Sequence, residues 1–250
     1  MLDPAAQEHW QRHGWLWLRG FLGDEAARDL GVWTDEIAAW PEVPGRWMRY
    51  YERRGGDAAA KMLARIENFV PYHERLAALF TGPRVLGLLA DCVGEPVVLF
   101  KDKINFKLPG GDGFKPHQDQ QAGWSAYADL FVTAMVSVDS TTAENGCLEL
   151  CAGHHTRGLI GEEWKPLTDD DMRRLGGRAV PTQPGDAVFF DSYTPHASAP
   201  NLTAERRRVL YITYNRRSAG DHRVRYYADK RKSFPPDIER DPNRTYTFRV

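Results

Sequence analysis

The chain has 250 residues, 42% of them hydrophobic, which is enough to bury a sizeable core as one large domain or two small ones and rules out a disordered chain. Thirty-three Lys plus Arg against 34 Asp plus Glu leave a formal charge of −1, so no global field draws the chain to nucleic acid or to anionic lipid. Apolar runs such as Val97 to Phe100 fall far short of the roughly 20 residues of a membrane helix, and the start, with Asp3, Pro4 and Glu8, lacks an apolar leader, so the expectation is a cytoplasmic protein.

In chain order, the first ninety residues read mainly as helices. Apolar spacing predicts them over Pro4 to His13, Gly23 to Trp40 with Asp24 and Glu25 in the first turn, and Tyr72 to Leu89. Trp15 to Leu22 alternates and ends at Gly23, which predicts a short strand. From Pro96 onward, short apolar or alternating runs are separated by Gly, Pro, Asn and Asp, the rhythm of antiparallel sheet. Strands are expected over Val97 to Leu108, Lys115 to Asp119, Phe131 to Ser137, Leu148 to Cys151, Arg178 to Val180, Ala187 to Asp191 and Arg208 to Tyr214. Many short strands without long helices between them indicate a sandwich or barrel rather than a parallel sheet. The tail from Ser218 is polar, but Tyr226, Tyr227, Phe234, Tyr246 and Phe248 predict that it packs back on the body. No boundary is sharp enough to divide residues 1–250: a helical buttress to about 95, a β core to about 217 and the tail form one expected domain.

Phe114, Lys115, Pro116, His117, Gln118 and Asp119 follow a glycine-rich loop and read as a strand leaving a turn. Alternation would put His117 and Asp119 on one face about 6 to 7 Å apart at Cα, close enough to share an ion. His196, just after the apolar strand that ends at Asp191, is the expected third ligand. Two imidazoles and a carboxylate on one side of a metal leave the other side open, the facial arrangement suited to Fe(II) and oxygen. An HxD by itself is common by chance, and the chain has eight histidines. Arg207, eleven residues beyond His196, could grip a carboxylate bidentately if a strand pairing turns it toward the metal. Alternation puts Arg207, Val209 and Tyr211 on one face and Arg206, Arg208 and Leu210 on the other, and leaves open which of them faces inward.

Taken together, His117-Gln118-Asp119, Asn145-Gly146-Cys147-Leu148 leading to Gly153-His154-His155, His196-Ala197-Ser198-Ala199-Pro200-Asn201 and Arg207 resemble the phytanoyl-CoA dioxygenase family of Fe(II)- and 2-oxoglutarate-dependent oxygenases. The resemblance spans nearly the whole chain, including Arg12 to Leu22. It implies a double-stranded β-helix, a jelly-roll or cupin-like barrel, mainly β with flanking helices. It also implies an enzyme that uses Fe(II), 2-oxoglutarate and O2 to hydroxylate a small-molecule substrate. By that likeness His117, Asp119 and His196 would ligate the metal and Arg207 would pair with the distal carboxylate of 2-oxoglutarate. Asn105 and Ser198 would hydrogen-bond the cosubstrate, Thr133 would stand beside Arg207, and Phe114 would pack on its chain. Lys103 would face the substrate. Ala152-Gly153-His154-His155 departs from the family's usual Pro-Gly-Ser-His, which leaves the metal residues untouched.

Lys101, Lys103, Asn105 and Lys107 alternate on one strand face, opposite Asp102, Ile104, Phe106 and Leu108; such a face is ordinarily solvated, or else lines the barrel mouth as an anion-binding wall. Gln121 and Trp124 are candidate pocket residues, and Trp124 reads equally well as core. Cys92, Cys147 and Cys151 form neither a disulfide framework nor a zinc pattern and read as packed thiols. Lys101 to Gly113, with Gln121, is similar to bacterial family members that hydroxylate small aminoalkylphosphonates, the first expectation for the substrate. A natural product, an amino acid and a carrier-bound acyl chain are the alternatives, together with a non-catalytic cupin-like binder and a zinc hydrolase. Oligomeric state is not legible.

Overall fold

A computed structural model describes residues 2–53 and 61–247, so Phe248 lies outside the described residues. Helix α1 (Pro4–His13) starts where Asp3 accepts a hydrogen bond from the Ala6 amide at 2.7 Å and stops at Gly14, whose φ of 73° closes the last turn. Strand β1 (Trp15–Leu18) and helix α2 (Asp24–Ala39) follow as expected, the strand four residues shorter. Two elements within the supposedly helical stretch are strands instead: β2 (Met48–Arg53) and β3 (Lys61–Glu67) form an antiparallel pair. The expected helix over 72–89 is two helices, α3 (Glu74–Phe80) and α4 (Pro83–Val93). Pro83 lacks an N–H and is tolerated in a first turn, so it starts a new helix rather than continuing the old one. Glu74–Val93 has the length and composition of a membrane span, but it is interrupted at Thr81–Gly82 and buries Leu76, Phe80, Val85, Leu88 and Leu89 in the core.

The β region comprises β4 (Val97–Lys107), β5 (Phe114–His117), β6 (Phe131–Ser137), β7 (Leu148–Leu150), β8 (Arg178–Val180), β9 (Ala187–Asp191), β10 (His196–Ser198) and β11 (Arg207–Arg216), with α5 (Asp169–Leu175) before β8 and α6 (Arg223–Ser233) after β11. A seven-stranded sheet runs β1-β9-β6-β11-β4-β3-β2 and a four-stranded sheet runs β5-β10-β7-β8; every pairing is antiparallel. The fold is mainly β with flanking helices, as expected.

Which way the large sheet faces decides where the chemistry can sit. Ile66, Ile104, Phe106, Val132, Ala134, Val136, Phe189, Leu210 and Ile212 share one core with Leu30, Ile37, Leu76, Phe80 and Leu89 of the helices. That apolar face is therefore the outer one, covered by helices, and the alternate residues of β4 and β11 point into the space between the sheets. There Met135, Val188, Phe190, Val209 and Tyr211 meet Leu148, Leu150 and Val180 of the small sheet. Lys101, Asn105 and Lys107 are buried on this inner side, so the polar face of β4 is not solvated. The tail packs back through Tyr226 and Tyr227, which join Met48, Tyr50, Phe100, Trp124 and Phe131 in a third core. Among the described residues no disulfide forms; Cys147 and Cys151 are buried thiols and Cys92 is partly buried.

Candidate active site

His117 ends β5 directly opposite His196, the first residue of β10. Their rings lie 4.2 Å apart between centroids, and one ligand atom from each of His117, Asp119 and His196 falls within 4.8 Å of the others. The three residues are thus brought together. The strand stops at His117, short of the expected Asp119, but Gln118 between them stays extended at φ −102° and ψ 139°, so His117 and Asp119 keep one side, with the carboxylate 4.0 Å from His117 Nε2, and Asp119 opens a short 3₁₀ turn.

Each ligand is oriented by a partner. His117 Nδ1 lies 2.7 Å from the Lys115 carbonyl and His196 Nδ1 3.0 Å from the Thr194 carbonyl. A carbonyl only accepts, so each Nδ1 carries the proton and each Nε2 presents its lone pair. The Thr133 hydroxyl donates to Asp119 Oδ2 at 3.1 Å and is itself held by Thr213 at 2.9 Å. Burial, then the neighbouring His196, pushes His117 down to about 3, and burial also lowers His196. Burial alone would raise Asp119, but His196, His117 and Lys103 together hold it below its ordinary value. Two neutral imidazoles and one carboxylate at neutral pH are a donor set for a divalent cation of borderline softness.

Arg207 is fully buried. Its Nη2 donates to the Gly146 carbonyl at 2.7 Å, while Nε and Nη1 have no partner. Lys107, opposite Arg207 in the β4–β11 register, donates to Ser198 Oγ and the Ala199 carbonyl, each at 2.5 Å. Burial and then Arg207 lower the lysine to about 7. None of these partners is a carboxylate. A buried guanidinium with two orphaned donors, beside the Lys107 amine, fits a bound carboxylate such as the distal end of 2-oxoglutarate. Gly146 must be glycine here: its φ is 73°, and a Cβ would stand 1.9 Å from the Ala199 carbonyl oxygen.

The remaining expected residues divide. Ser198 lies beside Lys107 and Arg207, its hydroxyl 3.4 Å from the guanidinium. The Phe114 ring has the Lys103 and Lys107 ammonium groups 5.6 and 5.8 Å from its centroid. Lys103 lines the cavity of about 380 Å³ that also holds Phe114, His117 and Asp119. Thr133 is not beside Arg207: it stands opposite Thr213, six residues further along β11, about 20 Å away at strand rise. Gln121 does not line that cavity. It is fully buried, accepts from the Gln118 amide at 2.9 Å and donates to the Glu162 and Lys165 carbonyls at 2.9 and 2.6 Å, so it ties the 158–167 loop to the metal-side turn. Trp124 takes both parts allowed for it, packing against Phe100 and Phe131 while one edge reaches the cavity. His154 bonds the Leu175 carbonyl at 3.0 Å, and neither it nor His155 belongs to the ligand cluster.

Sequence reasoning placed Lys107 on a possible anion-binding wall but not beside Arg207, and it missed Arg65 altogether. Arg65 is buried on β3 and lines the same cavity. The only sequence signal for it was the alternation of Arg65 and Glu67 about Ile66, too short to separate from a surface turn.

The family model of phytanoyl-CoA dioxygenase matches residues 10–209. The chain is 41% identical over 239 residues to a 2-aminoethylphosphonate dioxygenase of an uncultured bacterium, HF130_AEPn_1, covering 95% of this chain and 91% of that one. It is 39% identical over 234 residues to a methylphosphonate hydroxylase of Gimesia maris, covering 93% and 88%. Among solved structures, EctD from S. alaskensis with 2-oxoglutarate and 5-hydroxyectoine superposes with a TM-score of 0.74 at 18% identity, covering 87% of this chain and 77% of that one. At that identity the likeness is one of fold.

Proposed function

This chain belongs to the phytanoyl-CoA dioxygenase family, and from that premise we propose that it is an Fe(II)- and 2-oxoglutarate-dependent hydroxylase of a small phosphonate. The carrying observation is the cluster of half-buried His117 with buried Asp119 and His196, opening into a cavity lined by basic residues. When bound, iron and 2-oxoglutarate together supply the oxidation: O2 is consumed, the keto acid leaves as succinate and CO2, and one oxygen atom goes to a substrate carbon.

The chain's residues do the rest. His117, Asp119 and His196 would hold the metal, with the Lys115 and Thr194 carbonyls fixing the rings and Thr133 aiming the carboxylate. Arg207 and Lys107 hold the distal carboxylate of 2-oxoglutarate, with Ser198 and Asn105 completing its hydrogen bonds and Phe114 packing along its chain. Lys103 faces the substrate's anionic end. Enclosure by two sheets keeps water from the oxidising centre, so the reaction meets the positioned C–H bond.

Size favours a small substrate over a carrier-bound chain, since about 380 Å³ is near the low end for ligand pockets. Two relatives, at 41% and 39% identity, act, by name, on 2-aminoethylphosphonate and methylphosphonate. The test is succinate release with Fe(II), ascorbate and 2-oxoglutarate over a panel of aminoalkylphosphonates, amino acids and quaternary amines. Stimulation by a phosphonate supports the reading. Stimulation only by an amino acid or amine replaces the substrate, and silence across the panel with iron bound points to a binding protein.

A further inference from the structure

We propose that Arg65 and Lys101 join Lys103 in gripping the phosphonate as a doubly charged tetrahedral anion, and that buried Glu67 is the positioning residue that aims Arg65. This rests on the substrate class proposed above and adds the residues that would select it.

Register places the group. Arg65 stands opposite Asn105 and Glu67 opposite Lys103 across β3 and β4, so all share the inner face of the large sheet with Lys101. Arg65, Lys101 and Lys103 line the cavity that holds His117 and Asp119. Lys101 ends 5.3 Å from the Trp124 ring and 5.6 Å from the Tyr226 ring, and Lys103 ends 4.7 Å from the Tyr211 ring. Aromatic faces stabilise an ammonium without using up its N–H donors, which stay available for an anion's oxygens.

The charge count points to a dianion. Behind this wall the fully buried Glu67 pairs with Arg65 at 2.8 Å and with Lys230 at 2.6 Å. Asp119 is committed to the histidine cluster and Thr133. Glu52 and Asp112 also line the cavity, but Glu52 sits against Gly111, toward the Lys107 end of β4; Lys115 and Arg240 add two more cations to the lining. Four basic residues, Arg65, Lys101, Lys103 and Lys230, surround Glu67; burial lowers the three lysines, Lys103 to about 7, so part of their positive charge is drawn out only when an anion binds. Buried charge in excess of its partners is costly. A bound dianion offsets more of that excess than a carboxylate does, and a tetrahedral head offers three oxygens to three separate donors. Glu67, in turn, cannot touch the substrate through Arg65; it fixes where the guanidinium points.

The experiment is steady-state succinate release at saturating 2-oxoglutarate with 2-aminoethylphosphonate and methylphosphonate, each beside its carboxylate counterpart, 3-aminopropionate and acetate. The expected result is a wild-type preference for the phosphonates. Lys101→Met and Arg65→Gln each raise the phosphonate KM about ten- to hundredfold, the loss expected for a charge-assisted hydrogen bond, and narrow the phosphonate-to-carboxylate preference. The KM for 2-oxoglutarate stays within about twofold. Arg65→Lys recovers part of the loss. Glu67→Gln raises the phosphonate KM with little change in kcat, a split that general destabilisation does not produce. Lys101→Met, close in shape to the native side chain, carries the test if Arg65→Gln does not fold. A wild type that responds to phosphonates while Lys101→Met and Arg65→Gln keep the same KM and preference overturns the grip and leaves the substrate class standing. A wild type that responds only to carboxylates or uncharged compounds overturns the substrate class and the grip together.

Discussion

The Thr133 hydroxyl can donate to Asp119 and accept from Thr213 at once, because a hydroxyl has one donor and two acceptor sites. Thr133→Val keeps the shape and deletes both bonds. The expected outcome is a ten- to hundredfold weaker affinity for Fe(II), read by titration of the metal-free protein, with the 2-oxoglutarate KM nearly unchanged. Asp119→Ala removes a ligand outright and abolishes turnover; wild-type succinate release in that variant would sink the metal site. Arg207→Gln acts on the other pole. The guanidinium is buried with two nitrogens unpartnered, so its loss should raise the 2-oxoglutarate KM by about a hundredfold while metal affinity holds. Lys107→Met should do the same to a lesser degree, since its ammonium shares Ser198 with Arg207. At this scale His117 and His196 were legible as local motifs, but the Thr133 contact was not, because it depends on β6 of the large sheet facing the turn that follows β5 of the small one.

Strand β11 shows how one element serves two environments. Its inner residues Arg207, Val209 and Tyr211 face the site, while Arg208 turns outward to Asp139. There it makes two bonds of 2.8 Å to the two carboxylate oxygens, and a third of 2.7 Å to Asp35 of α2. Alternation laid out both sets from the sequence, but only the helices covering one face of the sheet decide which is inside. Asp139→Asn leaves the buried Arg208 short of a charged partner, and the expected cost is about 1.5 to 3 kcal/mol in urea unfolding, with the 2-oxoglutarate KM unaffected because Arg207 points the other way. The β2–β3 pair is the opposite case. It was invisible in the sequence because Met48–Arg53 and Lys61–Glu67 carry long polar side chains where a strand normally shows an apolar face. Of these, Arg65 is buried where it lines the cavity and Glu67 is buried behind it, whereas Lys61 stays exposed.

For the molecule as a whole, Asp191 sets a pH response. It closes β9 and accepts from the Tyr193 amide at 2.8 Å, yet burial pushes its carboxyl up from 3.8 to about 7. Between about pH 4 and pH 7 the unfolded chain loses this proton while the folded chain keeps it, so through this group stability falls as pH rises across that window and is flat above it. Asp191→Asn keeps the acceptor and removes the titration. Its unfolding midpoint should lose that slope and exceed that of the wild type at pH 8, with the two converging near pH 4; parallel curves would count against it. The sequence by itself determined that this is an antiparallel β protein with a helical flank, that His117, Asp119 and His196 are the residues to watch, and that an arginine near 207 matters. Those are local signals, carried by alternation, turn residues and motif spacing. Only the tertiary structure decided that the lysine face of β4 looks inward, that Gln121 anchors a loop, and that Lys107 joins Arg207 while Arg65 joins Lys103. A side chain's surroundings depend on what packs against the opposite face of its strand, and that is supplied by helices and strands far away in the chain.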